Sequence, residues 1–214
     1  MKVNFGRLFY VKEEKVNCIE QDSLSRRRSI YGLGKLSSAA DHCVIDTVGD
    51  CLLHCPTAFN AQSARVAVLL GRFHRDFWQK VWEKMAENIS GNNLKNAKIR
   101  NDGFAAAHGT ILFFEDTKVL AAFKKKFSLY QKNMKSWFGQ GNGILQYMVW
   151  QTLAENEIGA SLQHYNELIA DGLNEWLDLP KSWELVAQMP FGSIQKEPAA
   201  KEFLPLEERL RVFE

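Results

Sequence analysis

Three short polar clusters in this sequence carry side chains that can bind a charged or strongly hydrogen-bonding ligand. In Arg26–Ser29, three consecutive guanidinium groups and a hydroxyl can form bidentate hydrogen bonds with a phosphate. Thr57–Ser63 adds hydroxyl and amide groups, and Gln163–Asn166 adds two amides, an imidazole and a phenol. Because loops at the ends of elements commonly carry ligand-binding groups, the three clusters together predict a binding site. Taken alone, the arginine cluster is equally well explained as a basic surface capped by Ser29.

A group of cysteines and histidines has the residue types of a metal site. Cys51 and Cys55 lie four residues apart with His54 between them, and His42 and Cys43 come a few helical turns earlier. On a helix the three thiols share the apolar face and both imidazoles point away, so the set does not converge on one ion. We therefore predict packed, reduced thiols and no metal, with stoichiometric zinc as the alternative.

The composition is that of an ordinary globular protein. The chain has 214 residues, is 46% hydrophobic and 24% charged, and has a formal net charge of +2, which predicts one large domain with a sizeable core. So small a charge does not indicate nucleic acid, and the Lys124–Lys126 run is interpreted as a solvated helix end. No apolar window is long enough to span a membrane and no signal-peptide core is found, which predicts a cytoplasmic protein without a membrane partner.

The order of predicted elements indicates a single α+β domain. Residues 1–22 show no clear period and are treated as an N-terminal arm of unknown role, whereas residues 23–214 form the domain. Gly32 and Gly34 predict a turn, and a capping box of Ser38 and Asp41 predicts the start of a helix that ends before Pro56. Strands are predicted at Arg65–Leu70, HGTILFFED, IGASLQHYN and SWELVAQMPFG, and helices at about 74–88, TKVLAAFKKKF and ELIADGLNEWLDLP. These elements predict a mixed central sheet flanked by helices.

One further helix and the C-terminal tail indicate contact with a second surface. The segment GNGILQYMVWQTLAENEIG has almost no polar face between Gly143 and Ala154, so we expect a helix buried centrally or in a subunit interface. The tail, residues 193–214, is polar with the isolated anchors Phe203, Leu206 and Phe213. It is predicted to lie along a surface, either its own or a partner's.

Five segments, taken in order, resemble one protein family. RRSIYGLG, PTAFNAQSARV, GTILFFED, GASLQHYN and WELVAQMPFGS are similar to the motifs of the nitroreductase family of FMN flavoproteins. Within it they are most similar to the branch of the yeast fatty-acid-repression and bacterial copper-induced nitroreductases. The resemblance covers about Leu24 to Phe213. It implies an α+β homodimer with FMN at the subunit interface, a long helix in the dimer core and an extended C-terminal tail.

The resemblance also implies an activity. Such proteins pass a hydride from NADH or NADPH to the flavin and then to a small aromatic acceptor, nitroaromatic or quinone-type, by a ping-pong route. The cofactor carries this chemistry, so no acid–base side chain is expected to be essential. An alternative is a protein that binds or senses flavin without nicotinamide turnover, because a fold does not determine an activity.

By motif position, the first cluster and the tail would hold one end of FMN. Arg27, Arg28 and Ser29 would bind its phosphate, ribityl chain and pyrimidine edge, and Lys201 would complete the phosphate site. In the wider family a second basic residue commonly follows two positions after that lysine. Phe203 occupies this position here, and Arg209 is the candidate to replace the missing charge.

The other two clusters would contact the flavin ring. The residues concerned are Thr57, Asn60 and Gln62, a loop that often comes from the second subunit in this family, and Gln163, His164 and Tyr165. The backbone N–H groups of the latter three would lie near the hydride-accepting nitrogen, as preorganised hydrogen-bond donors. Aromatic side chains could stack on a planar acceptor above the ring. The candidates are Phe59, Trp137, Phe138 and again Tyr165.

Overall fold

The computed structural model describes residues 10–11, 14–15 and 21–214, with side chains from residue 23 onward. Most of the predicted N-terminal arm, including Cys18, lies outside these residues. The described part of the arm is an antiparallel pair, β1 (Tyr10–Val11) and β2 (Glu14–Lys15), followed by α1 (Gln21–Arg26). The division into an arm and a domain stays a prediction.

The domain is built on a five-stranded sheet flanked by helices, which confirms the predicted α+β class. In spatial order the strands are β3 (Gly32–Gly34), β7 (Trp183–Lys196), β5 (Gly109–Asp116) and β4 (Ala64–Leu70), with β6 (Ile158–Ala160) also paired to β7. The ladders between these strands are antiparallel, and a bridge between Ser29 and Ala160 is parallel. The helices are α2 (Ala40–His54), α3 (Gly71–Asn88), α4 (Gly91–Ala106), α5 (Thr117–Lys126), α6 (Gln131–Glu155), α7 (Asn166–Ile169) and α8 (Leu173–Trp176).

Both faces of the central strand β5 are covered by helices. Ile111 and Phe113 pack in a core with residues of α2 and α6, whereas Leu112 and Phe114 pack in a second core with residues of α3, α4, α7 and α8. A strand covered on both faces is a continuous apolar run rather than an alternating one, which explains the sequence GTILFFED.

The alternating pattern predicted for β7 is wrong in the middle of the strand. In the sequence, Trp183, Leu185, Ala187 and Met189 alternate with Glu184, Val186 and Gln188, which predicts that the two sets lie on opposite faces. Gln188 is nevertheless 0% exposed, as are its neighbours Ala187 and Met189. β7 is an interior strand of the sheet, and both of its faces are covered: Ala187 and Met189 pack in the core with residues of α2 and α6, and the Gln188 side chain bonds to Tyr165 and Asn166. Gln188 is therefore a buried amide that needs hydrogen-bond partners.

Two elements differ from the sequence prediction because their residues have little intrinsic preference for helix or strand. The sequence of α4 is a polar stretch rich in Asn and Lys, for which no helix is predicted. Its buried residues are Asn101 and Phe104. The glycines predicted as a turn form β3 instead. A Cβ at Gly32 would lie 2.6 Å from the Cβ of Lys196, so glycine permits close pairing with β7.

Several boundaries also differ from the sequence prediction. α6 begins at Gln131 rather than near Gly143, and Ile144 and Tyr147 on it are each 43% exposed in the single chain. β6 is short and ends at Ala160, and Gln163 lies in the loop into which the sequence predicts that this strand runs. The single helix predicted before Pro180 is two short helices, separated at Gly172, which has a φ of 78°.

The predicted capping box at the start of α2 is not formed. The helix begins after Ala39 without a side-chain cap, and the Asp41 carboxylate instead accepts a hydrogen bond from His108 Nε2 at 2.6 Å. The Leu36 N–H donates to His108 Nδ1 at 3.1 Å, so the ring proton lies on Nε2. This contact joins the start of α2 to the start of β5.

The cysteine prediction is confirmed at two of three described positions. Cys51 and Cys55 are buried, and burial raises the pKa of both thiols, whereas Cys43 is exposed. His42 and His54 are also exposed, on the solvent side of α2. Among the residues that the structure describes, no group of three or more His, Cys, Asp or Glu side chains is placed to hold a metal ion.

No helix in the described part of the chain combines the length and apolar character that crossing a bilayer requires.

Candidate functional site

The arginine cluster and the C-terminal tail line one cavity. Its volume is about 500 Å³, and it contains the residues that the sequence assigns to the phosphate end, Arg27, Arg28, Ser29 and Lys201. The other lining residues are Tyr31, Gly32, Lys196, Glu197, Pro198 and Ala199. Four cationic residues and one acidic residue thus line the cavity. This excess of positive charge, with a hydroxyl beside it, fits a phosphate monoester.

Neighbouring elements fix the arginine segment where it enters this cavity. The guanidinium carbon of Arg27 lies 4.4 Å from the ring centroid of Trp150 on α6, a cation–π contact. Arg28 Nη2 donates a hydrogen bond to the Ala199 carbonyl at 2.6 Å. The parallel bridge from Ser29 joins the same segment to the end of β6. Helix, tail and sheet together therefore preorganise the cationic groups.

A second cavity, which the sequence does not indicate, adjoins the first. Its volume is about 510 Å³, and Tyr31 and Gly32 line both cavities. The remaining lining residues are Asn96, Ile99, Arg100, Gly103 and Phe104, all from α4. Among the described residues, no carboxylate lies within 4.0 Å of the Arg100 guanidinium. The second cavity thus offers an aromatic wall and a cation that is not paired with a carboxylate. The sequence does not indicate this cavity because it does not predict α4.

Arg100 connects the second cavity to the third polar cluster. Burial raises the pKa of the Tyr165 phenol, while the charge of Arg100 and a hydrogen bond from it act in the opposite direction. The Tyr165 ring packs edge-on against Trp78, with 5.8 Å between centroids, and against Phe104, with 6.2 Å. Tyr165 is therefore fixed between the second cavity and the core.

A buried histidine, His74, shares a hydrogen-bonding partner with Trp78, against which Tyr165 packs. Trp78 Nε1 donates to Thr110 Oγ1 at 2.9 Å, and His74 Nδ1 lies 2.8 Å from the same oxygen. His74 Nε2 lies 3.1 Å from the Ala105 carbonyl, which can only accept, so Nε2 carries the proton. Burial lowers the pKa of His74 to about 4, and the ring is neutral at physiological pH.

The cluster Gln163–Asn166 is a turn bonded to β7. Gln163 and Gln188 exchange two backbone hydrogen bonds, with N–O distances of 2.7 and 2.9 Å. The Tyr165 N–H donates to Gln188 Oε1 at 2.7 Å, and Gln188 Nε2 donates to Asn166 Oδ1. The N–H groups of Gln163 and Tyr165 are thus already bonded, which narrows the sequence expectation that all three N–H groups of the turn serve a ligand. His164 between them is exposed.

The second polar cluster forms a loop with an unusual backbone. Phe59, Asn60 and Gln62 have φ values of 56°, 51° and 48°. Thr57 Oγ1 accepts a hydrogen bond from the Gln62 N–H at 3.1 Å, which stabilises the loop. Left-handed conformations in residues other than glycine cost about 1 kcal/mol or more each and concentrate at functional sites. The conformation therefore supports a functional role for this loop.

An aromatic group lies beside the loop. Phe59 is 46% exposed and stacks on Phe127, with 4.3 Å between centroids, and Trp137 lies 6.1 Å from it. Phe138 is only 3% exposed and packs edge-on against Phe123. In the single chain, Phe59 is thus open to a ligand and Trp137 is half-buried, whereas Phe138 is a packing residue.

The loop Thr57–Ser63 and the first cavity lie at opposite ends of the sheet. Gly32, which lines the cavity, pairs with Lys196 at one end of β7. At the other end Trp183 pairs with Asp116, whose N–H donates to the Ser63 carbonyl next to the loop. The 14 residues of β7 span about 40 Å, much more than the length of one FMN molecule. One chain therefore does not bring all three clusters to a single ligand.

The tail places its two basic candidates differently. Lys201 lines the first cavity, whereas Arg209 does not and is exposed at the end of a short 3-10 turn, Leu206–Glu208. The predicted anchors Phe203, Leu206 and Phe213 are 74%, 49% and 94% exposed in the single chain. In the single chain these apolar side chains are therefore not buried against the rest of the domain.

Comparison with known proteins identifies the family to which this fold and site belong. Residues 24–193 match the Nitroreductase family, so the chain belongs to it and is an oxidoreductase of the nitroreductase type. The resemblance found in the sequence is confirmed.

Individual relatives agree with this assignment. HBN1 of Saccharomyces cerevisiae is 31% identical over 187 residues, which cover 85% of this chain and 91% of HBN1. The nitroreductase CinD from Lactococcus lactis, solved in complex with chloramphenicol and with 4-nitrophenol, is 38% identical with a TM-score of 0.82, covering 90% of this chain and 98% of CinD. An FMN complex from Desulfovibrio desulfuricans, 16% identical with a TM-score of 0.63, covers 89% of this chain and 95% of that one and shares the fold.

Proposed function

We propose that this protein is an FMN-dependent oxidoreductase that uses NADH or NADPH to reduce nitroaromatic or quinone-type acceptors. The observation that carries the proposal is the cavity lined by Arg27, Arg28, Ser29 and Lys201. Ser29 is bridged to Ala160, three residues before the Gln163–Tyr165 segment. Family membership and the FMN complex with the same fold support the choice of cofactor. When bound, FMN supplies the hydride chemistry, and the protein supplies binding, orientation and electrostatics.

The first cavity would hold the phosphate end. Arg27 is oriented by Trp150 and Arg28 by the Ala199 carbonyl, so their donors are positioned before a ligand arrives. Preorganised side chains lose little entropy on binding, and charge-assisted hydrogen bonds are the strong ones. Lys201 adds a flexible third cation from the tail, which can close over the phosphate.

The second cavity and the turn would hold the ring. Phe104 and Tyr31 offer aromatic surface, and Arg100, which is not paired with a carboxylate, would lie at an oxygen-bearing edge, adding to the contacts assigned to the first cluster. The turn would present the backbone of His164 together with the side chains of Gln163 and Tyr165. A fixed cation and a fixed N–H at a partly desolvated ring stabilise added negative charge without reorganisation.

A second copy of the chain would complete the site. Thr57, Asn60 and Gln62 lie too far from the first cavity of their own chain, so they would contact the flavin bound by the partner. The exposed apolar residues on α6, such as Ile144 and Tyr147, and the exposed anchors of the tail provide the surface that dimerisation would bury.

Acceptors would bind against aromatic side chains that are exposed, as Phe59 is, or half-buried, as Trp137 and Tyr165 are. Phe59 and Trp137, brought by the partner, and Tyr165 could stack on a planar ring. CinD was solved with chloramphenicol and with 4-nitrophenol, both of which contain a nitrophenyl group, which supports acceptors of this class. A cytoplasmic location is part of the proposal, since that is where the reductant is produced.

Anaerobic titration of the FMN-loaded protein tests the activity. Bleaching of the flavin absorbance by NADH or NADPH, and its return on addition of 4-nitrophenol or a benzoquinone, is the expected result. Protein that retains FMN but is reduced by neither nucleotide would instead be a flavin-binding or flavin-sensing protein. Protein that takes up no FMN at all would overturn the proposal.

A further inference from the structure

Gln188 is a fully buried amide whose polar groups all bond to one turn. Its backbone exchanges two hydrogen bonds with Gln163, its Oε1 accepts from the Tyr165 N–H at 2.7 Å, and its Nε2 donates to Asn166 Oδ1. Asn166 in turn donates through Nδ2 to the Val186 carbonyl at 2.8 Å. The turn is therefore fixed to β7 at both its start and its end.

These bonds leave one donor of the turn available. The N–H groups of Gln163 and Tyr165 are both bonded to Gln188. The N–H of His164, which lies between them, makes no hydrogen bond within the described residues, and His164 is exposed. Flanking residues bonded on both sides restrict the direction in which that N–H can point.

The bonding pattern also explains why an amide stands in the middle of a central strand. An apolar residue of similar volume would leave the Tyr165 N–H and the Asn166 side-chain oxygen Oδ1 without partners in a partly buried setting, which is costly. Glutamine is a side chain that accepts from one residue and donates to the next at this distance. A purely packing role would not need either group.

We propose that Gln188 is a positioning residue: its side chain holds the Gln163–Asn166 turn so that the His164 N–H is directed at the bound flavin. The inference rests on the proposed FMN site and goes beyond it by naming the residue that sets the geometry of the turn. It acts through the turn and touches no reacting atom. Its loss should therefore alter the properties of the bound flavin in addition to lowering the stability of the fold.

The test compares two buried glutamines. Gln188→Met keeps the volume and removes both side-chain hydrogen bonds. Gln146→Met is the matched control, because Gln146 is 7% exposed and likewise donates to an asparagine, Asn142 Oδ1, at 2.8 Å, but on α6 away from the turn. Asn166→Ala is a milder second variant that removes the acceptor of Gln188 Nε2.

The first readout is made without FMN. Residue-resolved amide exchange of the apo protein should show a protected Tyr165 N–H in the wild type and in Gln146→Met. In Gln188→Met this N–H should exchange at least tenfold faster. The His164 N–H should exchange rapidly in the apo wild type and become protected when FMN is added. A His164 N–H that FMN does not protect, or a Tyr165 N–H unaffected by Gln188→Met, would overturn the inference.

The second readout is the reduction potential of the bound flavin, measured by titration with a chemical reductant. Gln188→Met should lower it by about 30 mV for each tenfold loss of preference for the reduced form, and Gln146→Met should not change it. An equal potential in wild type, Gln188→Met and Asn166→Ala would contradict a positioning role. Because dithionite replaces nicotinamide here, failure of NADH and NADPH to reduce the flavin would count against the proposed activity alone.

Discussion

Arg28 donates a hydrogen bond to the carbonyl of Ala199 at 2.6 Å, joining two segments separated by 171 residues. One of these segments carries the arginine cluster, and the other carries Lys201 two residues further on. The contact holds the tail against the arginine segment, and both segments line the first cavity. It explains how a site can be assembled from residues near the two ends of the described chain.

We expect Arg28→Ala to weaken FMN binding by roughly 10- to 100-fold, because a hydrogen bond to a charged group contributes about 1.5 to 3 kcal/mol. The measurement is the dissociation constant for FMN by fluorescence quenching. Arg72→Ala is the control, since Arg72 is 74% exposed at its side chain and pairs only weakly with Asp76, at 3.9 Å. Equal affinity in wild type and Arg28→Ala would show that this cavity is not the phosphate site.

The two basic residues of the tail should differ in effect. Lys201→Ala should weaken FMN binding by at most about fivefold, since exposed charge pairs contribute about 1 kcal/mol or less. The loss should shrink at high salt because screening acts on solvated charges. Arg209→Ala should leave the affinity for FMN unchanged, because Arg209 does not line the first cavity. A larger loss of FMN affinity in Arg209→Ala than in Lys201→Ala would identify Arg209 as the phosphate ligand and contradict this prediction.

His74 predicts a pH dependence of stability. Its folded pKa is about 4, below the ordinary value of 6.5, because burial disfavours the charged ring. The unfolded chain therefore binds a proton that the folded chain does not between these values, and stability falls as the pH drops through that window. From pH 7 to 5.5 the contribution is about 1 kcal/mol. Urea unfolding of wild type and His74→Gln at both pH values checks this, and parallel pH slopes for the two proteins would contradict it.

Gly192 lies where β7 meets the end of β3. A Cβ there would sit 2.1 Å from the Gly34 carbonyl oxygen and 3.0 Å from the His108 nitrogen, both backbone atoms that cannot easily move. Gly192→Ala should therefore lower the free energy of unfolding by about 3 kcal/mol. Gly139→Ala on α6 is the control: an added Cβ meets nothing within 4 Å, and the change should stabilise the helix by about 1 kcal/mol. A higher melting temperature for Gly192→Ala than for Gly139→Ala would contradict this prediction.

Strong apolar patterns allow the sheet core to be predicted from the sequence. GTILFFED and ARVAVLL form neighbouring strands because few alternatives bury so many branched and aromatic side chains. By contrast, α4 has two buried residues and many Asn and Lys, so its helix depends on packing against α3. With α4 missed, Tyr31, Arg100 and Phe104 could not be recognised as one cavity.

The candidate site is partly readable from the sequence for a similar reason. Arg27, Arg28 and Ser29 are adjacent in the sequence, so they lie close together in any fold, and Lys201 is implied by the family resemblance. Gln188 could not be found, because an amide in a strand predicts a solvent-facing position unless the strand is known to be central. The separation of Thr57–Gln62 from the cavity also depends on strand register, which local patterns do not determine.

The central claim is that two copies of this chain enclose two FMN molecules, each bound by residues of both subunits. Sedimentation velocity of the FMN-loaded protein, recorded at the visible absorbance of flavin, tests it most directly. The prediction is one boundary at twice the chain mass of 24.5 kDa, with one FMN for each chain. A flavin boundary at the mass of a single chain, or protein that sediments without flavin, would contradict it.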